Sequence, residues 1–142
     1  MSIIDLFENG SQKKNKGHFR NLVLLATADG AISEEENALL DRIAKKISLS
    51  DTQVEDIKAN PKSYKIHPPT SKEERLERLI HLEEMVEIDG EDEKEMKMAV
   101  RFGIGLGYRE ESVVGLMKVI KDKRKEGLKS FEILDYMMSL KV

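Results

Sequence analysis

The acidic residues best placed for chemistry occupy two similar stretches of the chain. Ala28-Asp29-Gly30 recurs as Ile88-Asp89-Gly90, with the second aspartate 60 positions after the first, and each Asp-Gly pair follows a helical pattern and precedes further acids. An aspartate near the C-terminal end of a helix meets the negative pole of the helix dipole, which disfavours a carboxylate by about 0.3–1 kcal/mol. Because an aspartate occupies this unfavourable position in both stretches, we expect each carboxylate to have a partner that compensates its negative charge.

Two kinds of partner remain open. Each aspartate can accept hydrogen bonds from backbone N–H groups of its own turn, which would make both purely structural. Alternatively, the turns hold a divalent cation, Ca²⁺ or Mg²⁺, because hard cations bind oxygen ligands. The four candidate metal ligands are Asp29, Asp89, Glu36 and Glu95. An EF-hand does not explain the pattern, since its glycine stands at the sixth loop position and not directly after the first acid.

The elements that must position these acids are helices. Apolar residues recur at intervals of three and four, and alternating runs are scarce, so the sequence predicts an all-α fold. Three capping boxes mark helix starts, since the serine and the residue three positions later can satisfy backbone N–H groups at a helix N-terminus. They are Ser33 with Glu36, Ser50 with Gln53, and Ser71 with Glu74. The pair Asn60-Pro61 predicts a helix end.

The predicted elements are a short amphipathic segment, a polar loop and seven longer helices. The segment covers residues 2–8, the loop 9–16, and the first full helix 17–27. Helices then begin after Ser33, Ser50 and Ser71 and cover 92–106, 110–121 and 130–140.

The two Asp-Gly stretches belong to longer segments that resemble each other. At an offset of 59, Glu36 pairs with Glu95 and Val54 with Val113. We therefore expect a single domain over residues 1–142, a bundle of about seven to eight helices built from two pseudo-symmetric repeats. Repeat one covers about 17–60, the proline-containing connector 60–71, repeat two about 71–122, and a C-terminal helix about 128–140.

Two other patterns have mainly structural interpretations. Gly103 and Gly107 lie where a helix closes, and close helix packing and a C-terminal cap explain them better than a phosphate-binding loop, which would follow a strand. In the last helix, Phe131, Leu134 and Met138 share one stripe, and we expect it to seal the core. A partner helix is the alternative for that stripe, because Met adapts to varied surfaces.

Composition excludes several classes of function. The 142 residues contain no Cys, which removes disulfides, thiolate metal sites and a cysteine nucleophile, and the net charge of −3 does not indicate nucleic-acid binding. No apolar run is long enough to enter a membrane, and the N-terminus does not look like a signal peptide. We expect a cytoplasmic protein, a monomer or weak dimer, with protein partners and no nucleic acid. No nucleophile constellation is visible, so we expect no enzyme.

The segment from Leu24 to Glu36, LLATADGAISEEE, continuing to Leu39-Leu40 and ISLS at residues 47–50, resembles the tellurite-resistance TerB family. That family also includes the N-terminal domain of a membrane-anchored DnaJ-type co-chaperone, and the resemblance covers about residues 19–121. It implies a duplicated all-helical bundle with acidic residues suspected of binding metal, in proteins linked to tellurite and other stress responses. Asp29 and Glu36 match the family pattern. The second half departs from it, because Glu95 lies six positions after Asp89 instead of seven.

The sequence and the resemblance together predict a non-enzymatic, TerB-like stress-response module that binds a divalent cation and acts with protein partners. The alternative is a metal-independent protein-interaction module whose acidic turns are structural.

Overall fold

The computed structural model describes residues 10–28, 30–88 and 93–140. Within these ranges the chain is all-helical, as predicted, with seven α-helices, one short 3₁₀ helix and no strand. The α-helices are α1 (Gly10–Ala26), α2 (Glu34–Lys46), α3 (Asp51–Ala59), α4 (Lys72–Ile88), α5 (Glu93–Gly105), α6 (Glu110–Lys125) and α7 (Ser130–Met138), and the 3₁₀ helix is Pro61–Ser63. None of these helices is both long enough and apolar enough to cross a membrane.

The helix starts follow the capping boxes. Ser33 Oγ accepts from the backbone N–H of Glu36 at 3.1 Å, and the N–H of Ser33 donates to Glu36 Oε1 at 2.9 Å. Ser50 and Gln53 form the same reciprocal pair at 3.2 and 2.8 Å. At the start of α4, the N–H of Glu74 donates to Ser71 Oγ. These local bonds fix three helix starts because each satisfies N–H groups that the first turn leaves without an intrahelical partner.

The predicted loop over residues 9–16 is wrong from residue 10 onward, because α1 begins at Gly10. The first turns of α1 lack an apolar stripe, so periodicity gave no signal there. A tertiary contact holds this part of the helix: Asn15 Nδ2 donates to the backbone oxygen of Ile47 at 3.1 Å, at the end of α2. The predicted segment over residues 2–8 lies outside the described residues.

The chain divides into two compact units, Met1–His67 and Pro68–Val142, and the division falls inside the predicted connector. In the first unit, α1 packs against α2, α3 and the 3₁₀ helix. Its core is made of fully buried apolar side chains, among them Phe19, Leu22, Leu40 and Ile57. That the whole chain forms one domain stays a prediction.

In the second unit, α4 is the central helix and packs against α5, α6 and α7. It is buried on most of its circumference, as expected for a helix surrounded by others, and its buried residues include the polar Arg78, His81 and Glu83 beside apolar ones. The helix pairs α5 with α6 and α6 with α7 complete the packing. Lys72 Nζ at the start of α4 donates to the backbone oxygens of Met138 and Leu140, so the end of α7 is tied to α4.

Several helices of the two units match in length and in end geometry. Helices α1 and α4 each contain 17 residues, and α2 and α5 each contain 13 with both bounds shifted by 59 positions. The turns that close α2 and α5 also match, because Ser48 has φ 63° and Gly107, 59 positions later, has φ 111°. Ser48 is the one non-glycine residue with positive φ in the described ranges.

The two structural interpretations of the glycines in α5 and its closing turn are confirmed. A Cβ atom at position 103 would lie 2.7 and 2.8 Å from the two Cγ atoms of Val113, so only glycine allows α5 and α6 this close an approach. Gly107 has the positive φ of a C-terminal cap and donates its N–H to the oxygen of Ile104.

Candidate functional site

The two aspartates of the predicted metal site, Asp29 and Asp89, lie outside the described residues. The structure nevertheless describes the chain on both sides of Asp29. Helix α1 ends at Ala26, and the N–H of Gly30 donates to the oxygen of Thr27 at 3.0 Å. Gly30 has φ 127°, the positive value predicted for a glycine just past a helix end.

The two predicted glutamate ligands are described, and both are buried. Glu36 is 1% exposed and Glu95 is 0% exposed. Both lie in the first turn of their helices, α2 and α5, at the third helical position. A carboxylate taken out of water must be compensated by hydrogen bonds, by positive charge or by protonation. Because Glu36 and Glu95 occupy equivalent first-turn positions and are both buried, each needs such compensation.

Part of the compensation at Glu36 comes from the chain itself. One carboxylate oxygen, Oε1, accepts from the N–H of Ser33 in the capping box. The N-terminal turn of a helix also favours negative charge, because the helix dipole places its positive pole there. The bond from Ser33 to Glu36 thus fits a structural role for this carboxylate.

The described residues contain no group of three or more His, Asp or Glu side chains that could hold a metal ion. A site made by Glu36 with Asp29, or by Glu95 with Asp89, would include residues beyond those ranges. The donor set that the sequence offers there, carboxylates with turn carbonyls, is one that Ca²⁺ or Mg²⁺ binds.

A buried ion pair in the second unit was not predicted. Arg124 Nε donates to Glu83 Oε1 at 2.8 Å, and the side chain of Glu83 is only 3% exposed. Burial raises the pKa of Glu83 to about 7, against the opposing effect of Arg124. Glu83 Oε2 is buried and has no hydrogen-bond partner among the described residues.

The same ion pair extends to α7. Arg124 Nη1 donates to Ser130 Oγ at 3.3 Å, and Ser130 Oγ donates to Glu84 Oε1 at 2.6 Å. The four side chains therefore join α4, α6 and the first residue of α7. The sequence held one signal for this cluster, the two acids Glu83 and Glu84 between the apolar residues Leu82 and Met85, but no local pattern identified Arg124 as the partner of Glu83.

The second unit has a groove whose exposed inner surface is mostly apolar, although charged residues also contribute to its walls. The cavity measures about 280 Å³. Its apolar walls are Val86, Met96, Val100, Val114 and Met117, and its charged residues are Glu83, Glu87, Lys118 and Lys121. We call these nine residues the α4–α6 groove. Sequence patterns did not predict it, because its residues come from three helices.

The expectation that the Phe131, Leu134 and Met138 stripe of α7 seals the core is wrong. Phe131 is 61% exposed and Met138 is 38% exposed, whereas Ile133 and Met137 of the same helix are fully buried. Two apolar stripes run along α7, and the core takes the one with Ile133 and Met137. We call Phe131, Leu134 and Met138 the α7 stripe.

Comparison with known proteins finds no matching family profile, no matching curated protein and no matching solved structure.

Proposed function

We propose that this chain is a non-enzymatic helical module that binds a divalent cation through the carboxylates of its Asp-Gly turns and acts with protein partners. The observation that carries the proposal is the burial of Glu36 and Glu95 in the first turn of the helices that follow the two turns. A cation would offset the cost of these carboxylates and the unfavourable helix-end position of Asp29 and Asp89 at once.

The proposal includes a duplicated architecture. The matching lengths of α1 with α4 and of α2 with α5 support it, as does the positive φ of Ser48 and Gly107 at equivalent positions. The proposal also includes a role in tellurite or related stress responses in the cytoplasm, because part of the sequence resembles the TerB pattern. The sequence resemblance is the sole support for that role.

Thermal unfolding with and without Ca²⁺, Mg²⁺ or Mn²⁺ tests cation binding. A cation that prefers the folded state raises the melting temperature by mass action. We expect this rise in the wild type and its loss in the Asp29→Asn, Asp89→Asn double variant. A Glu35→Gln, Glu93→Gln double variant is the charge-matched control, because both glutamates are exposed first-turn neighbours of Glu36 and Glu95. Equal melting temperatures for all samples with every cation would end the proposal.

A second function is favoured by the α7 stripe, which places Phe131 and Met138 in solvent. In this alternative the chain is a metal-independent protein-interaction module and the acidic turns are structural. Binding of a partner would then resist chelation and would be lost in Met138→Glu. Ser139→Glu adds the same charge at the next exposed position and should leave binding unchanged. Loss of binding on chelation would contradict this alternative.

A further inference from the structure

The α4–α6 groove includes a residue with a buried hydrogen-bonding atom that the protein leaves unsatisfied. Glu83 lines the groove and is 3% exposed. Its Oε1 accepts from Arg124, a residue that is not part of the lining. Its other oxygen, Oε2, is buried and accepts no hydrogen bond from any residue that the structure describes. An unsatisfied buried oxygen costs free energy, which a ligand that donates a hydrogen bond would recover.

The size of the groove limits the size of such a ligand. The cavity measures about 280 Å³. An apolar cavity of about 150 Å³ holds one benzene molecule, so this groove has room for about ten non-hydrogen atoms. Two of its walls are Met96 and Met117, whose unbranched side chains adapt their shape and make favourable contacts with aromatic rings. The cavity therefore suits a small molecule built around one aromatic ring.

The charged residues of the groove favour an uncharged ligand. The lining contains two acids, Glu83 and Glu87, and two bases, Lys118 and Lys121, so neither sign is in excess. An ion would lose its hydration in the apolar cavity without an excess of opposite charge to compensate it.

A hydroxyl is the polar group that fits Glu83 best. Burial raises the pKa of Glu83 to about 7, so its ionised and its protonated forms both occur near neutral pH. A hydroxyl donates a hydrogen bond to the ionised form and accepts one from the protonated form. An ammonium group can only donate, and a carboxylate can only accept.

We propose that the α4–α6 groove binds a small uncharged aromatic alcohol, with its apolar body against Met96 and Met117 and its hydroxyl hydrogen-bonded to Oε2 of Glu83. The groove contains none of the four proposed metal ligands and no residue of the α7 stripe. The site is therefore a binding activity beyond both proposed functions.

NMR of the methionine methyl groups, with phenethyl alcohol as the probe, tests the proposal on the full chain. The signals of Met96 and Met117 should shift as the probe is added, with a dissociation constant on the order of 1 mM or below. The signal of Met137, which is buried outside the groove, should not shift. Val100→Phe fills the groove and should abolish binding. Ile104→Phe is the matched control, since it adds the same ring to the same helix at an exposed position outside the lining.

Two molecules of the same shape as the probe test the role of the hydroxyl. Propylbenzene carries a methyl group in its place, and phenethylamine carries an ammonium group. Glu83→Leu should weaken binding of phenethyl alcohol about three- to tenfold, as expected for the loss of one hydrogen bond, and should not weaken binding of propylbenzene. Glu84→Leu removes the neighbouring acid, which is not part of the lining, and should change neither.

Circular dichroism checks the fold of every variant, and Val114→Phe replaces Val100→Phe if the latter does not fold. A wild type that does not bind phenethyl alcohol would overturn the proposal, and so would binding that the groove-filling variant leaves intact. Tighter binding of phenethylamine than of phenethyl alcohol would contradict the uncharged ligand class. The cation experiment and the Met138→Glu experiment use other residues, so their outcomes are independent of this one.

Discussion

The carboxylate of Glu36 caps the N-terminus of α2, because it accepts a hydrogen bond from the N–H of Ser33. It is also one of the four acids proposed to hold a cation. The two roles separate experimentally, because glutamine at this position can still accept the capping bond but carries no charge.

We expect Glu36→Gln to keep the stability of the chelated protein and Glu36→Ala to lower the free energy of unfolding by about 1 kcal/mol through loss of the cap. Urea unfolding in the presence of a chelator measures both. Glu35→Ala, at an exposed neighbouring position, should have little effect. If the glutamine variant were as unstable as the alanine variant, the charge of Glu36 and not its capping bond would stabilise the chelated protein.

The residue-level predictions succeeded where the determining contacts are local. Ser33 and Ser50 signalled helix starts because their partners lie three positions away in the chain. The pair of Glu83 with Arg124 spans 41 positions, so no local pattern could identify it. Glu36 and Glu95 are both buried, and their role as cation ligands stays a prediction.

At the scale of elements, the approach of α5 to α6 depends on Gly103. We expect Gly103→Ala to destabilise the protein by about 1–3 kcal/mol, because a Cβ would lie within 3 Å of Val113 and overpacking outweighs the gain in helix propensity. Thermal or urea unfolding measures the change.

Gly105 supplies the matched control in the same helix. A Cβ at position 105 would meet nothing within 4 Å, so Gly105→Ala should be neutral or stabilise by up to about 1 kcal/mol. Val113→Ala, introduced together with Gly103→Ala, should recover part of the lost stability. Equal effects of the two glycine substitutions would contradict the packing explanation.

Periodicity predicted the helices but could not choose between the faces of α7. Its nine residues carry one stripe with Phe131 and Met138 and another with Ile133 and Met137. Both have helical spacing, and only the packing against α4 and α6 determines which is buried. The start of α1 was missed for a related reason, since the contact of Asn15 with Ile47 is tertiary.

At the scale of the whole molecule, Glu83 makes folding depend on pH. Its pKa is about 7 in the folded protein, above the ordinary value of 4.5, and burial is the main cause, opposed by Arg124 and reinforced by Glu87 and Glu84. The folded state therefore binds this proton more tightly than the unfolded state. The resulting stabilisation is fully present below pH 4.5 and is lost as the pH rises through about 7.

We expect Glu83→Gln to remove this part of the pH dependence, which corresponds to on the order of 2 kcal/mol between pH 5 and pH 8. The free energy of unfolding in urea, measured across that range, gives the slope for each protein. Glu73→Gln, at an exposed position of the same helix, should retain the wild-type slope. An unchanged slope in Glu83→Gln would show that its carboxyl group does not take up a proton on folding.

The most direct measurement of the central claim is anomalous X-ray scattering from crystals grown with Mn²⁺. The account predicts an anomalous peak within about 2.0–2.6 Å of carboxylate oxygens from Asp29 or Asp89, with Glu36 or Glu95 completing the ligand set. Crystals that diffract well and contain only water beside both aspartates would contradict it.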